Sequence, residues 1–312
     1  MALAPIILFV YNRPWHTQQT VEALQKCELA TESDLYIFAD GPKEDASNET
    51  QQKIAEVRKY IHTIDGFKSV HIQESPSNKG LANSVIQGVS EVINKHGKVI
   101  VVEDDIVAHP FFLRFMNEAL NFYERDSRIY MIGGCRLKFK IPWWYTHNVY
   151  ILHRSCSWGW ATWKDRWSMS DWDVSDYNTF IKNQKEIDLF CRGGRDMIHL
   201  LQQQIEGKID SWAIRWDYCM YKHDGYCLWP KYSLVSNIGF DNSGIHCGND
   251  SKIKIPPINN ISNNFVRDIS ANKTLEKSFY MFCDPTPKIS YAKRVKKNAK
   301  QFFKKIKGQK CI

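Results

Sequence analysis

The chain lacks the short signatures that most directly announce a nucleotide or a metal. It contains no G-x-x-x-x-G-K-[ST] phosphate loop and no G-x-G-x-x-G fingerprint. Its nine cysteines include no C-x-x-C pair, and most lie inside apolar or aromatic runs. That usage argues against a disulfide framework or a zinc site and predicts reduced thiols in a cytoplasmic protein. No stretch reaches the roughly 18 uncharged apolar residues that a membrane span needs. Met1-Ala2-Leu3-Ala4-Pro5 lacks the basic region of a signal peptide, and the apolar run after it soon meets Tyr11-Asn12-Arg13-Pro14, so it reads as a strand. Internal repeats and a boundary linker are also missing.

Acid is missing from one whole segment. Ten Lys/Arg and no Asp/Glu fall between Lys288 and Ile312, more than the net charge of +8 for the entire chain. The body without this tail is therefore slightly negative. That balance, with no basic residues interleaved with aromatics elsewhere, argues against a nucleic-acid partner. Within the tail, Tyr291, Val295, Ala299, Phe302 and Ile306 fall on one helical face. The pattern predicts an amphipathic helix on an anionic membrane surface, hence a cytoplasmic protein peripheral on the inner face of the cell membrane. A solubilising tail or a nucleic-acid-binding arm are the alternatives.

Aromatics, by contrast, are plentiful: 13% of residues, with 11 Trp and 14 Tyr. Ring faces stack on sugar rings, so such a surplus suits a glycan cleft, although ordinary core aromatics give the same composition. Apolar runs Ile6 to Val10, Leu35 to Ala39, Val70 to Ile72 and Val99 to Val102 read as buried strands. They alternate with helical spacing over Thr17 to Leu24, Gln51 to Ile64, Gly80 to Asn94 and Phe111 to Tyr123. This alternation predicts a mostly parallel α/β sheet with helices on both faces. Beyond it the pattern loosens. Residues 141–178 are Trp-rich, 192–210 read as helical, and the Asn- and Ser-rich stretch 248–275 reads as an extended surface strap.

Each early strand ends in a polar cluster, which brings Asn12-Arg13, Asp40-Gly41 and Glu103-Asp104-Asp105 to one edge. In open α/β sheets ligands bind beyond the carboxyl ends of the strands. The acidic triplet is the strongest of these signals. Three adjacent carboxylates repel unless a cation compensates, and Mg²⁺ or Mn²⁺ bound with a substrate's phosphates fits that need. The alternative is an N-cap for a helix near His109-Pro110, which accounts for one acid only.

This motif order resembles GT-A glycosyltransferases, with Asn78-Lys79-Gly80-Leu81-Ala82-Asn83 opening a helix between the second and third polar ends. The later segments Trp158-Gly159-Trp160, Arg215-Trp216-Asp217 and Gly239 to His246 resemble the N-acetylglucosaminyltransferase I family and its bacterial, family 2-like relatives, over residues 5–248. The resemblance implies a GT-A, Rossmann-like fold with a nucleotide-sugar-binding half (1–106), an acceptor-binding and catalytic half (107–287) merged with it, and the basic tail (288–312). It also implies a nucleotide-sugar donor, a glycan or lipid-linked glycan acceptor, and inversion at the anomeric carbon. By the same likeness Asp105 ligates the metal, His246 reaches the metal or a phosphate, Glu103 meets a ribose or sugar hydroxyl, Asp104 lies close to the metal or the ribose, and Asp40 accepts from the base imide. Arg13 meets a phosphate or the base, and Asn78, Lys79 and Asn83 flank the nucleoside. Trp158, Gly159 and Trp216 line the substrate, and Asp217 is the general base. The resembled family has Trp-Asp-Asp-Trp at this last position; here Tyr218 follows the single Asp. The alternatives are a plain turn at Asp40-Gly41-Pro42, a structural Asp217 paired with Arg215 or Lys222, and a surface role for His246. At the level of function they are a sugar-nucleotide pyrophosphorylase and an inactive sugar-binding module.

Overall fold

The computed structural model describes residues 2–241 and 264–283. The chain opens with β1 (Ile6–Val10), α1 (Pro14–Gln25), β2 (Asp34–Ala39), α2 (Asn48–Ile61), β3 (Ser69–Glu74), α3 (Leu81–His96) and β4 (Lys98–Glu103). β1 is buried along its whole length and β4 at its four central residues, as expected of strands covered on both faces. Local signals set the helix starts. Pro14 stands at the first position of α1, and Ser47 caps α2 through Thr50 N–H.

After β4 come β5 (Ile106–Ala108), α4 (Phe112–Tyr123), β6 (Ile129–Gly133), β7 (Val149–Leu152) and β8 (Trp160–Trp163). Short helices α5 (Lys164–Trp167), α6 (Tyr177–Phe180), α7 (Gln184–Phe190) and α8 (Met197–Ile205) lead to α9 (Trp212–Lys222). β9 (Tyr226–Pro230), β10 (Val235–Asn237) and α10 (Lys273–Phe282) follow. The main sheet has eight strands in the order β3-β2-β1-β4-β8-β6-β9-β7 and is flanked by helices, an arrangement consistent with a Rossmann-like GT-A fold. β3, β2, β1 and β4 are mutually parallel, whereas β8 runs antiparallel to both β4 and β6. A separate ribbon pairs β5 with β10.

The strand order reverses between β1 and β4. The chain steps outward from β1 to β2 and β3, then returns to the other side of β1. This switch point is where an open α/β sheet leaves a crevice. Phe9 of β1 lies level with Glu103 of β4, so Arg13 and the acidic triplet leave the sheet side by side.

Two expectations from the sequence need correction. The Trp surplus is largely structural, because Trp160 stacks on Trp212 at 4.6 Å and Trp167 packs on Trp172 at 4.5 Å and on Trp216 at 5.1 Å, all within the core. The stretch 248–275 is not merely a surface strap where it is described. Ile269 and Leu275 are buried, and Asn272 caps a helix that begins at Lys273. No helix of the described residues is long and apolar enough to cross a membrane. The basic tail lies outside the described residues.

Candidate active site

The acidic triplet ends β4 and is held there from two sides. Thr20 of α1 donates its hydroxyl to the Asp104 carbonyl at 2.9 Å, and Ile238 N–H donates to the Asp105 carbonyl at 2.9 Å. The β5–β10 ribbon starts at the next residue and brings Ile238-Gly239 over the acids. At Gly239 a Cβ would stand 2.3 Å from Asp105 Oδ2, so only glycine admits this approach. Asp105 is not a helix cap: α4 begins at Phe112, and no side chain caps its first turn.

Arg13 supplies the positive charge that the triplet requires. Its Nε and Nη2 donate to Asp104, and Nη1 donates to Asp105 Oδ2 at 3.0 Å. Burial works against the guanidinium's charge, but Asp104 and Asp105 outweigh it and hold its pKa above the ordinary value. Burial, then the charges of Asp105 and Asp104, push Glu103 up to about 8, with Arg13 and the Trp212 side chain pulling the other way. Burial also raises Asp104, against the pull of Arg13. The repulsion among three acids is thus relieved by one arginine and one proton. Repulsion alone does not call for a metal.

A different observation bears on the cation. Asp105 is 5% exposed, and its Oδ1 has no hydrogen-bond partner among the described residues. An orphaned buried carboxylate oxygen costs about 1–3 kcal/mol or more, so it marks a place for a cation or a donor. No group of three or more His, Cys, Asp and Glu side chains among the described residues is arranged to hold a metal by itself. A divalent cation carried mainly by substrate phosphates needs only one or two protein carboxylates, and Asp105 Oδ1 fits that requirement. His246 lies outside the described residues.

Asp40 is used differently. Its carboxylate accepts from Gly41 N–H and Lys79 N–H, each at 2.9 Å, and from Asn78 Nδ2 at 3.0 Å. It pins the loop after β2 to the loop before α3, two strand spacings or about 10 Å from the β4 end. Lys79 and Asn83 are exposed, with Asn83 Nδ2 donating to the Lys79 carbonyl at 3.1 Å. The start of α3, expected to favour a bound anion, already has one: Asp210 Oδ2 accepts from Ala82 N–H at 3.1 Å. Asp210 carries no sequence pattern of its own, yet it is half exposed and sits two residues before Trp212, which meets Glu103.

Gly159, with φ +59, turns the chain into β8, and Trp158 packs edge-on against Phe240 at 5.4 Å beside Gly239. Trp216, expected at the substrate, is instead wholly buried, and its Nε1 has no partner. Asp217 is 4% exposed, and its Oδ1 accepts from Ser155 N–H at 2.6 Å. Burial pushes its pKa up to about 6, opposed chiefly by Arg154 and by the Ser155 hydrogen bond. Neither Arg215 nor Lys222 holds it. Arg215 turns to the Ser211 and Trp172 carbonyls, and Lys222 pairs with Asp176 at 2.7 Å. The structure therefore gathers Arg13, Glu103, Asp104, Asp105 and Gly239, and uses Asp40, Asn78 and Lys79 to join two loops.

No family model matches the chain, and no curated protein sequence matches it. Solved structures share low similarity with it. Staphylococcus aureus TarS is 14% identical over 45% of this chain and 23% of its own, with a TM-score of 0.29. A UDP-glucose pyrophosphorylase complexed with UDP-glucose is 11% identical over 54% of this chain and 79% of its own, with a TM-score of 0.30. An apo UDP-glucose pyrophosphorylase is 10% identical over 75% and 93%, with a TM-score of 0.36. The chain spans about a quarter of TarS, and likeness at this level assigns no activity.

Proposed function

We propose that the protein is a glycosyltransferase that takes a nucleotide-sugar donor, with uridine diphosphate as the leaving group, at the β1–β4 switch point. The observation that carries this reading is the single orphaned oxygen of Asp105, in a crevice built where an α/β sheet binds nucleotides. The motif order that resembles the N-acetylglucosaminyltransferase I family supports it. Mn²⁺ or Mg²⁺ at Asp105 would offset charge on the departing diphosphate. Arg13 fixes the two aspartates in place, and protonated Glu103 presents a donor to a sugar or ribose hydroxyl. Three of the five Arg13 donors already face the acids, leaving two for a phosphate oxygen.

The acceptor is a glycan hydroxyl, on a lipid carrier where the basic tail draws the protein to an anionic membrane. Asp217, with its raised pKa, is the proposed base that removes the hydroxyl proton. Attack opposite the leaving group inverts the anomeric carbon. A second assignment of the base rests on exposure: Asp210 is half exposed, two residues before Trp212, whereas Asp217 is covered by Ser155.

The direct test is a thermal-shift screen of nucleotide sugars with and without Mn²⁺. A ligand at a hundredfold excess over its dissociation constant stabilises the native state by about 2.7 kcal/mol. The expected result is stabilisation by a uridine diphosphate sugar only when Mn²⁺ is present. A metal-independent shift would remove the cation from the site. A shift only with a sugar 1-phosphate plus nucleoside triphosphate would move the reading to a pyrophosphorylase.

A further inference from the structure

The most exposed large apolar side chain of the described residues is Trp143, at 93%, and its neighbour Trp144 is 47% exposed. Both stand at the tip of a tight turn closed by Tyr145 N–H to the Pro142 carbonyl at 3.0 Å. The turn is rigidly seated. Tyr145 is buried and donates its hydroxyl to the Val149 carbonyl, and Lys231 Nζ reaches the Tyr145 carbonyl at 2.7 Å. Among the described residues no ring contact or hydrogen bond engages the two indoles, although five other tryptophans stack in or against the core.

The turn belongs to the same face as the end of α10. Phe139 packs edge-on against Phe279 at 5.2 Å, and Ser278 Oγ donates to the Lys140 carbonyl at 2.7 Å. One turn further along α10, Met281 and Phe282 are 57% and 39% exposed. The chain then continues into the segment with ten Lys/Arg and no acid. The approach to the turn is also free of acid, because Arg136, Lys138 and Lys140 are the only charged residues between 129 and 153.

We infer that the Trp143–Trp144 turn is a membrane-inserting wedge that enters the interface of the anionic bilayer to which the basic tail is drawn. The inference rests on the reading of that tail as membrane-bound and adds a second contact on the folded body. Three properties suit this occupant. Tryptophan places its apolar ring and its N–H at the level of lipid headgroups. Flanking lysines are attracted to anionic lipid, and a single weak membrane signal holds a protein only marginally, so two of them act together. A rigid tip inserts without losing much conformational freedom.

The test uses the full chain with vesicles of phosphatidylcholine alone, or of phosphatidylcholine mixed with phosphatidylglycerol, some carrying brominated acyl chains that quench indole emission on contact. The intact protein is expected to bind the anionic vesicles, show partial quenching, and keep a bound fraction at about 1 M salt, where the Debye length is about 3 Å. The double variant Trp143→Ala/Trp144→Ala should lose the quenching and the salt-resistant fraction and bind roughly tenfold more weakly at low salt. Trp143→Phe/Trp144→Phe should retain the salt-resistant fraction. Both variants change exposed side chains only, and an unchanged melting temperature shows that they fold. Equal quenching in the intact and double-alanine proteins overturns the wedge, even if deleting residues 288–312 abolishes binding and so upholds the tail. Unchanged vesicle binding with reduced turnover of a soluble acceptor also overturns it, and makes the pair an acceptor platform. Failure of the intact protein to bind any vesicle overturns wedge and tail together.

Discussion

Asp40 and Asp105 both follow parallel strands at the same edge of one sheet, yet the fold treats them in opposite ways. The carboxylate of Asp40 is filled by two backbone N–H groups and one amide, all from its own loop or the loop before α3. Asp105 is held on one oxygen by Arg13 and left empty on the other. A place at a strand's carboxyl end therefore does not make an acid a ligand. What separates the two is hydrogen-bond accounting: a buried oxygen without a partner among the described residues is open to an arriving donor or cation.

The largest expected effect is at Asp105. Asp105→Ala should abolish turnover and also the Mn²⁺-dependent thermal shift with a uridine diphosphate sugar. The fold should persist, because Arg13 keeps its contacts with Asp104. Circular dichroism with the thermal-shift assay checks both halves. Full activity in this variant, or in excess chelator, would erase the difference drawn between Asp105 and Asp40.

Next in size is the base, where exposure and acidity point to different residues. Asp217→Asn should lower kcat by about 10²-fold or more with donor binding little changed, as expected for loss of a general base. Asp210→Asn should have a small effect on kcat and act mainly through the start of α3. The reverse pattern in single-turnover rates would transfer the role to Asp210 and leave Asp217 as the buried acceptor for Ser155 N–H.

Asp40→Ala should act in a third way. It leaves the N–H groups of Gly41 and Lys79 without their acceptor, at a cost of about 1–2 kcal/mol, and loosens the two loops. The expected outcome is a lower melting temperature and a higher KM for the donor, with kcat nearly unchanged. Asp40→Asn keeps one carbonyl oxygen in place and should recover much of the loss. An Asp40 variant that matches Asp105→Ala in kcat would show that the pin is a ligand after all.

The parallel half of the sheet was legible because its strands are unbroken apolar runs that stop at polar residues. The second half was not. β6, β7 and β8 are only four or five residues long and share their sequence with turns, so neither period nor length marks them. α9 escaped notice for another reason. Trp212 and Trp216 enter the main core while Ile214 and Tyr218 enter a second, smaller cluster with Phe180 and Phe190, so the helix is apolar on two sides and shows no single stripe. In the site, the triplet and Arg13 were visible as residue types, but their pairing was not. The turn that places Arg13 between Asp104 and Asp105 depends on α1 packing beside the β5–β10 ribbon, and no spacing in the chain encodes it.

The last test reads stability, not turnover, and asks how the triplet stays together without a metal. Glu103 titrates in the native protein at about 8, above the ordinary value of 4.5, because burial and its two acidic neighbours favour the proton. Between those values the native state holds a proton that the unfolded chain has released. Stability therefore falls as pH rises through this window, by about 1.4 kcal/mol per pH unit for one group. The contribution is fully present below pH 4.5 and is lost by about pH 8. Glu103→Gln imitates the protonated acid at every pH. Its melting temperature should match that of the parent near pH 5 and exceed it progressively toward pH 8, with Arg13 still bridging Asp104 and Asp105. Parallel curves across that range would mean that Glu103 is ionised in the native protein, and that the triplet carries a charge which only a bound cation balances.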